Sequence, residues 1–217
     1  MTQITHDHVE WAVVGRLRLM IETEPHPTFN VTQSYSLFTT ILCWVMQRIR
    51  IQTHEVRPAA HRQGTDDRKA RALFAKLDKE AAAAEPWLLP ITSIERIAVL
   101  GERRLSVPPS QGFEGHSVGR VLVNLRDAVA HGDACNVVHF SREGLLIGFR
   151  FLCAEYEGRG RSKRKVWEGS ITLLEADMRR IGAQLANLYC DALRRSDRHR
   201  KDGHFGNDAA SIREVAA

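Results

Sequence analysis

The sequence predicts a mainly α-helical fold, in which an antiparallel helical bundle carries a small antiparallel β-sheet inserted before its last helix. Apolar residues recur every three or four positions over most of the chain, which is the period of an amphipathic helix. After about residue 135 this period changes to two, which is typical of strands. We therefore expect one helical domain over residues 1–195 with a β insertion at about 136–173, followed by a flexible basic tail over 196–217.

The first half of the chain divides into four predicted helices and a loop. The second helix has the broadest apolar face, so we expect it to be central or buried between two subunits. Two prolines and three glycines make the segment before the fourth long helix an irregular loop. The predicted segments are helices over 8–22, 31–50, 66–84 and 93–100, and the loop over 101–115.

The second half contains the predicted strands and the last helix. Residues 136–140 and 145–153 form a predicted hairpin, and 166–173 a third strand. The pattern Thr172-x-x-Glu175 indicates a capping box at the start of the last helix. Alternation places five apolar residues on one face of the second strand, and these need a covering layer: Leu145, Ile147, Phe149, Phe151 and Cys153.

Composition narrows the classes of function. A formal net charge of +5 favours an anionic partner, although a basic soluble protein has the same balance. The four cysteines are scattered without zinc-site spacing, so we expect no metal, no cofactor and no disulfide framework. No opening signal peptide or membrane-spanning run is evident, so a cytoplasmic location is the expectation.

The most informative segment is the end of a helix that starts near His116. At about 100° per residue its apolar residues form one stripe, while Asp127 and His131 lie nearly opposite that stripe. Asp127 and His131 are four residues apart, so the carboxylate can hold the imidazole in one tautomer. Arg126 adds a permanent cation, and Gly132 suits the left-handed residue that ends a helix. This segment therefore combines a cation, a proton-exchanging group and an orienting acid.

Arg126-Asp127-x-x-x-His131 resembles the arginine–histidine motif of HEPN-domain proteins, many of which are ribonucleases of toxin–antitoxin, phage-defence and CRISPR systems. The resemblance covers residues 117–134, with looser agreement of the helix pattern elsewhere. It implies a homodimeric, metal-independent endoribonuclease that leaves 2′,3′-cyclic phosphate ends, with Arg126, Asp127 and His131 as catalytic residues. Two features depart from the family: Asp127 stands where many members carry asparagine, and no tyrosine follows two residues after His131.

Two further groups of residues are candidates for RNA binding. Arg120 and Asn124 project from the polar side of the motif helix, although exposed polar residues of no function fit the pattern equally well. A basic segment between the second and third strands suits sequence-independent contact with phosphates, and a solvated loop is its alternative. The basic candidates are Arg159, Arg161, Lys163, Arg164 and Lys165.

Other functions remain open. His131 could simply stabilise a helix dipole, and Arg126 with Asp127 could be a solvated helix face. The chain could then be a non-catalytic HEPN module that binds RNA or a partner protein, such as an antitoxin or another defence protein. A DNA-binding regulator that uses the basic segment is a further alternative, but no helix-turn-helix with a basic recognition face is evident.

Overall fold

The computed structural model describes residues 9–51, 64–130, 136–158, 162 and 164–193. These residues form five helices and five strands. The helices are α1 (Val9–Glu22), α2 (Asn30–Ile51), α3 (Gly64–Leu77), α4 (Val118–Ala130) and α5 (Glu175–Leu193). The strands are β1 (Arg96–Leu100), β2 (Arg103–Val107), β3 (Val137–Arg142), β4 (Leu145–Glu157) and β5 (Arg164–Leu174).

The fold is mixed α/β, so the prediction of a mainly α-helical bundle is wrong. Two antiparallel sheets are present in the described residues, one of two strands and one of three. The unpredicted sheet is the β1–β2 hairpin, which replaces the helix expected over 93–100 and part of the loop expected over 101–115. Within this hairpin Ala98 is buried while Ile97 and Val99 are exposed. Such alternation is the period of a strand, and a five-residue window was too short to reveal it.

The predicted strands of the second half are confirmed as the three-stranded sheet β3-β4-β5. Its register contains a β-bulge, because Phe140 pairs with Gly148 while Ser141 pairs with Leu146, which leaves Ile147 unpaired. The bulge divides the predicted apolar face of β4: Phe151 faces the helices, Ile147 joins a second cluster, and Leu145 is exposed.

The main core lies between the helices and one face of the three-stranded sheet. Tyr35 of α2 stacks on Phe149 at 3.9 Å between ring centroids, and Phe38 meets Phe151 edge to face at 6.2 Å. Helix α4 packs against both α2 and β4. The opposite face of the sheet is partly covered by the β1–β2 hairpin through a small cluster of Ala98, Val107, Phe140 and Ile147.

The start of α5 differs by two residues from the prediction. The Leu174 backbone N–H donates to Asp177 Oδ2 at 3.0 Å, which caps the helix. The predicted box of Thr172 with Glu175 does not form because β5 continues to Leu174 and Thr172 is buried within it. No helix in the described part of the chain has the length and apolarity needed to cross a membrane.

Candidate active site

Helix α4 positions the polar residues that the sequence singled out. Its N-terminus is capped by Ser117, whose Oγ accepts the Arg120 backbone N–H at 3.2 Å and donates to Asp78 Oδ1 at 3.0 Å. Leu122 and Leu125 are fully buried and fix the core-facing side of the helix. The helix therefore cannot rotate without exposing these residues, and its polar side keeps one orientation.

Arg126 and Asp127 are in direct contact. Arg126 Nη1 donates to Asp127 Oδ1 at 2.6 Å, and the two side chains are 18% and 25% exposed. Arg126 Nε is buried and has no hydrogen-bond partner among the described residues. The guanidinium is therefore held at the edge of the core by a neighbouring carboxylate, and its Nε–H makes no hydrogen bond with the described residues.

Several predicted site residues lie outside the described residues. His131 and Gly132 directly follow the described end of α4, so the expected pairing of Asp127 with His131 stays a prediction. The same holds for three basic residues of the segment between β4 and β5, namely Arg159, Arg161 and Lys163.

The other two basic residues of that segment are exposed and paired with acids. Arg164 Nη2 lies 3.3 Å from Glu157 Oε2, and Lys165 Nζ lies 2.8 Å from Glu168 Oε2. Glu168 raises the pKa of Lys165 through their hydrogen bond. Glu157 is on the neighbouring strand, so a count of cations along the sequence does not show that the charge of Arg164 is neutralised.

Arg120 and Asn124 converge on the carboxylate of Glu155, which the sequence pattern does not indicate. Arg120 donates to Glu155 through Nε at 3.1 Å and Nη2 at 2.8 Å, and Asn124 Nδ2 donates to Glu155 Oε1 at 3.1 Å. The hydrogen bonds from Arg120 lower the pKa of Glu155 most, and the one from Asn124 lowers it further, whereas burial raises it. Extending the alternation of β4 past Cys153 would have placed Glu155 on the helix-facing side, where an acid needs a partner.

Two cysteines lie near the Arg126–Asp127 pair. Burial, assisted by the charge of Asp127, raises the pKa of Cys153 to about 12, and its Sγ donates to the Asn124 carbonyl at 3.4 Å. Burial also raises the pKa of Cys43 on α2, with Arg126 lowering it and Asp127 raising it. Both thiols are therefore protonated at neutral pH and are poor nucleophiles, as expected of packing residues.

The chemistry available at α4 is that of two cations and two carboxylates. Arg120 and Arg126 can bind phosphate oxygens, but each is already engaged, by Glu155 and Asp127 respectively. In the described part of the chain, no group of three or more His, Cys, Asp or Glu residues is arranged to hold a metal ion. A group that exchanges protons at neutral pH would have to come from outside the pairs described.

Comparison with known proteins finds no relative of this chain. No protein-family model, no curated protein and no solved structure matches the chain. The resemblance to HEPN proteins therefore depends on the sequence itself, chiefly on residues 117–134.

Proposed function

We propose that this chain is a metal-independent endoribonuclease of the HEPN type, active as a homodimer in the cytoplasm and serving as a toxin or in defence against phages. Arg126 and His131 carry the reaction, Asp127 orients His131, and the products end in 2′,3′-cyclic phosphate. The proposal retains the chemistry that the motif implies, without the mainly helical architecture.

The observation that supports this proposal best is the contact of Arg126 with Asp127 on α4. A guanidinium that is mostly withdrawn from water, at 18% exposure, interacts more strongly with an anion than a fully solvated one does. Position 131 is four residues beyond Asp127 in the sequence, and on a helix this spacing would let the carboxylate hold the imidazole. The three residue types then supply the functions that RNA cleavage requires.

The proposed reaction is a transesterification followed by release of the 5′-hydroxyl product. His131 of one copy removes the proton of the ribose 2′-hydroxyl, and the oxygen attacks the adjacent phosphorus. Arg126 donates hydrogen bonds to the phosphate oxygens as negative charge increases in the pentacovalent state. The bond to the 5′-oxygen breaks as that oxygen accepts a proton from a second imidazole.

The need for a second imidazole supports the proposal of a homodimer. One histidine cannot act as base and acid in the same step, and a single general base contributes only about two to four orders of magnitude in rate. Two copies of the chain related by a two-fold axis would supply two copies each of Arg126 and His131 to one site.

Cleavage of RNA by purified protein tests the proposal. We expect the parent chain to cut single-stranded RNA in EDTA, and Arg126→Ala or His131→Ala to lower the rate by about two orders of magnitude or more. The 2′,3′-cyclic phosphate is identified by its resistance to alkaline phosphatase until acid opens it to a phosphomonoester, which the phosphatase then removes. Glu143→Gln is the matched control, because it removes a surface carboxylate in the turn before β4 that pairs with Arg103, a residue outside the candidate site.

The proposed mechanism fails if the parent cleaves RNA only when a divalent metal is added, or if both variants cleave as fast as the control. Circular dichroism and gel filtration of each variant establish that any loss of cleavage is not a loss of fold. Sequencing the RNA ends produced in cells would then identify the substrate.

A non-catalytic module that binds RNA or a partner protein, such as an antitoxin, is the second candidate. One observation favours it: each arginine of α4 named here is already neutralised by a carboxylate, which reduces the positive charge offered to a phosphate. In that case the parent would not cleave RNA, and His131→Ala would bind its partner as tightly as the parent does.

A further inference from the structure

The side of α4 that faces β4 carries hydrogen-bond donors that point to one place. Arg120 and Asn124 are four residues apart and so lie on the same side of the helix. Three of their N–H groups reach the two oxygens of Glu155, at distances between 2.8 and 3.1 Å. The result is an anion-binding cradle in which the present anion is a side chain of the protein itself.

The cradle has the geometry that a phosphodiester group also satisfies. An arginine that binds two oxygens through parallel N–H groups does so equally with carboxylate and phosphate. Asn124 is only 4% exposed, so its amide is fixed in place by the packing of α4 against β4. Its position is therefore set before any ligand binds, which lowers the entropic cost of binding.

The Arg120–Glu155 pair is accessible from solvent. The Arg120 side chain is 48% exposed and that of Glu155 is 33% exposed. Water and salt screen ion pairs at such positions, so these pairs contribute little net stability. A polyanion can therefore replace the Glu155 carboxylate at the cradle, whereas a fully buried pair would resist such exchange.

We infer that Glu155 occupies the position of an RNA backbone phosphate on α4, so that RNA reaches Arg120 and Asn124 only by displacing this carboxylate. The inference rests on the proposed function, since it takes RNA as the ligand of this face. Glu155 does not contact reacting atoms; it sets how tightly the substrate backbone is held. Loss of the charge of Glu155 frees Arg120 and Asn124 to donate to a phosphate and so strengthens RNA binding.

The test compares two variants that each remove one carboxylate. Glu155→Gln removes the charge in the cradle, and Glu143→Gln removes the charge that pairs with Arg103, an exposed residue outside the candidate RNA-binding set. Both are made in the Arg126→Ala background, so that cleavage does not interfere. Binding of a fluorescein-labelled single-stranded RNA of mixed sequence is measured by fluorescence anisotropy in EDTA.

We expect Glu155→Gln to bind this RNA about two- to fivefold more tightly than Glu143→Gln, which corresponds to the loss of one solvent-exposed ion pair. Adding Arg120→Ala to Glu155→Gln should abolish the gain. Arg120→Ala should weaken RNA binding less when it is added to Glu143→Gln than when it is added to Glu155→Gln, because Glu155 already occupies Arg120 in Glu143→Gln.

Equal or weaker binding by Glu155→Gln overturns the inference, as does a gain that persists without Arg120. If the parent cleaves RNA but the gain is missing, Glu155 is a structural tie and the proposed function stands. If the parent neither cleaves nor binds RNA, and Glu155→Gln also does not bind, both proposals fail. If Glu155→Gln does not fold, Glu155→Ala takes its place, because it removes the carboxylate without placing amide N–H groups against those of Arg120 and Asn124. Glu155→Ala must then show the same gain in RNA binding.

Discussion

Two arginines on α4 have carboxylate partners of different origin. Asp127 is the next residue to Arg126 on the same helix, so this pair moves as one unit. Glu155 reaches Arg120 from β4, so this second pair joins two separate elements. A phosphate that approaches Arg126 must share the guanidinium with Asp127, whereas a phosphate that approaches Arg120 can displace Glu155. Binding at the two positions is therefore expected to respond differently to substitution of the acid.

The lowered pKa of Glu155 predicts how its substitution changes stability with pH. The pKa of a free glutamate is 4.5, and hydrogen bonds from Arg120 and Asn124 lower it in the folded chain. The charge of Glu155 therefore stabilises the fold above the ordinary pKa, and this contribution disappears as the pH falls through the lowered one. Glu155→Gln should be less stable than the parent at neutral pH, by up to about 1 kcal/mol for so exposed a pair.

The measurement is urea unfolding followed by circular dichroism at neutral pH and at a series of acidic values. We expect the difference between parent and Glu155→Gln to shrink as the pH falls below 4.5. Glu157→Gln serves as the control, because its carboxylate is 65% exposed and its partner Arg164 is 77% exposed. If the free energies of unfolding of the parent and Glu155→Gln differ by the same amount at every pH, the charge of Glu155 is not the cause of the difference.

At the scale of elements, β4 depends on a close approach to β5. A Cβ atom on Gly148 would lie 2.3 Å from the Leu173 carbonyl oxygen and 3.0 Å from Leu174 Cα, both of them backbone atoms. The backbone cannot move aside without breaking the pairing of Gly148 with Leu174. We therefore expect Gly148→Ala to lower the free energy of unfolding by about 3 kcal/mol or more.

Gly144 provides the matched comparison for this prediction. It lies in the turn between β3 and β4 at φ +79°, and a Cβ atom there would meet nothing within 4 Å. Gly144→Ala therefore has only the backbone cost of a left-handed residue, about 1–2 kcal/mol. Urea unfolding of both variants decides the matter, and equal losses would mean that the space around Gly148 is not limiting.

The sequence predicted the longer elements because many residues contribute to each periodic pattern. The helices ending at Glu22 and starting near Asn30 and Glu175 were placed within two residues at those ends, and all three strands of the larger sheet were found. The third helix ends at Leu77, short of the predicted residue 84. The β1–β2 hairpin was missed because five residues fit a helical and a strand period about equally well.

The candidate site was predictable only where its residues are near in sequence. Arg126 and Asp127 are recognisable from their place in a motif, and their adjacent positions allow their contact. Glu155 was missed because its contact with Arg120 spans 35 positions and depends on where β4 ends. The bulge at Ile147 also has no local signal, since it arises from the pairing of two strands.

At the scale of the whole molecule, the proposed reaction requires more than one chain. Each copy offers one imidazole at position 131, while the reaction uses a base and an acid in the same step. If the two histidines meet in one cleft, a dimer with a single His131 is inactive or nearly so. Activity then depends on the composition of the dimer, which can be varied by mixing.

Mixing parent protein with His131→Ala at a fixed total concentration tests this dependence. After the copies exchange freely, an equal mixture should retain about one quarter of the parent activity, because only dimers of two parent copies are active. Independent chains would instead retain about one half. Sedimentation velocity confirms that the mixture is dimeric, and a parallel mixture of parent with Glu157→Gln should give the mean of their two activities. A linear decline with the share of His131→Ala would mean that each copy cleaves alone, and the two-histidine mechanism would then have to be abandoned.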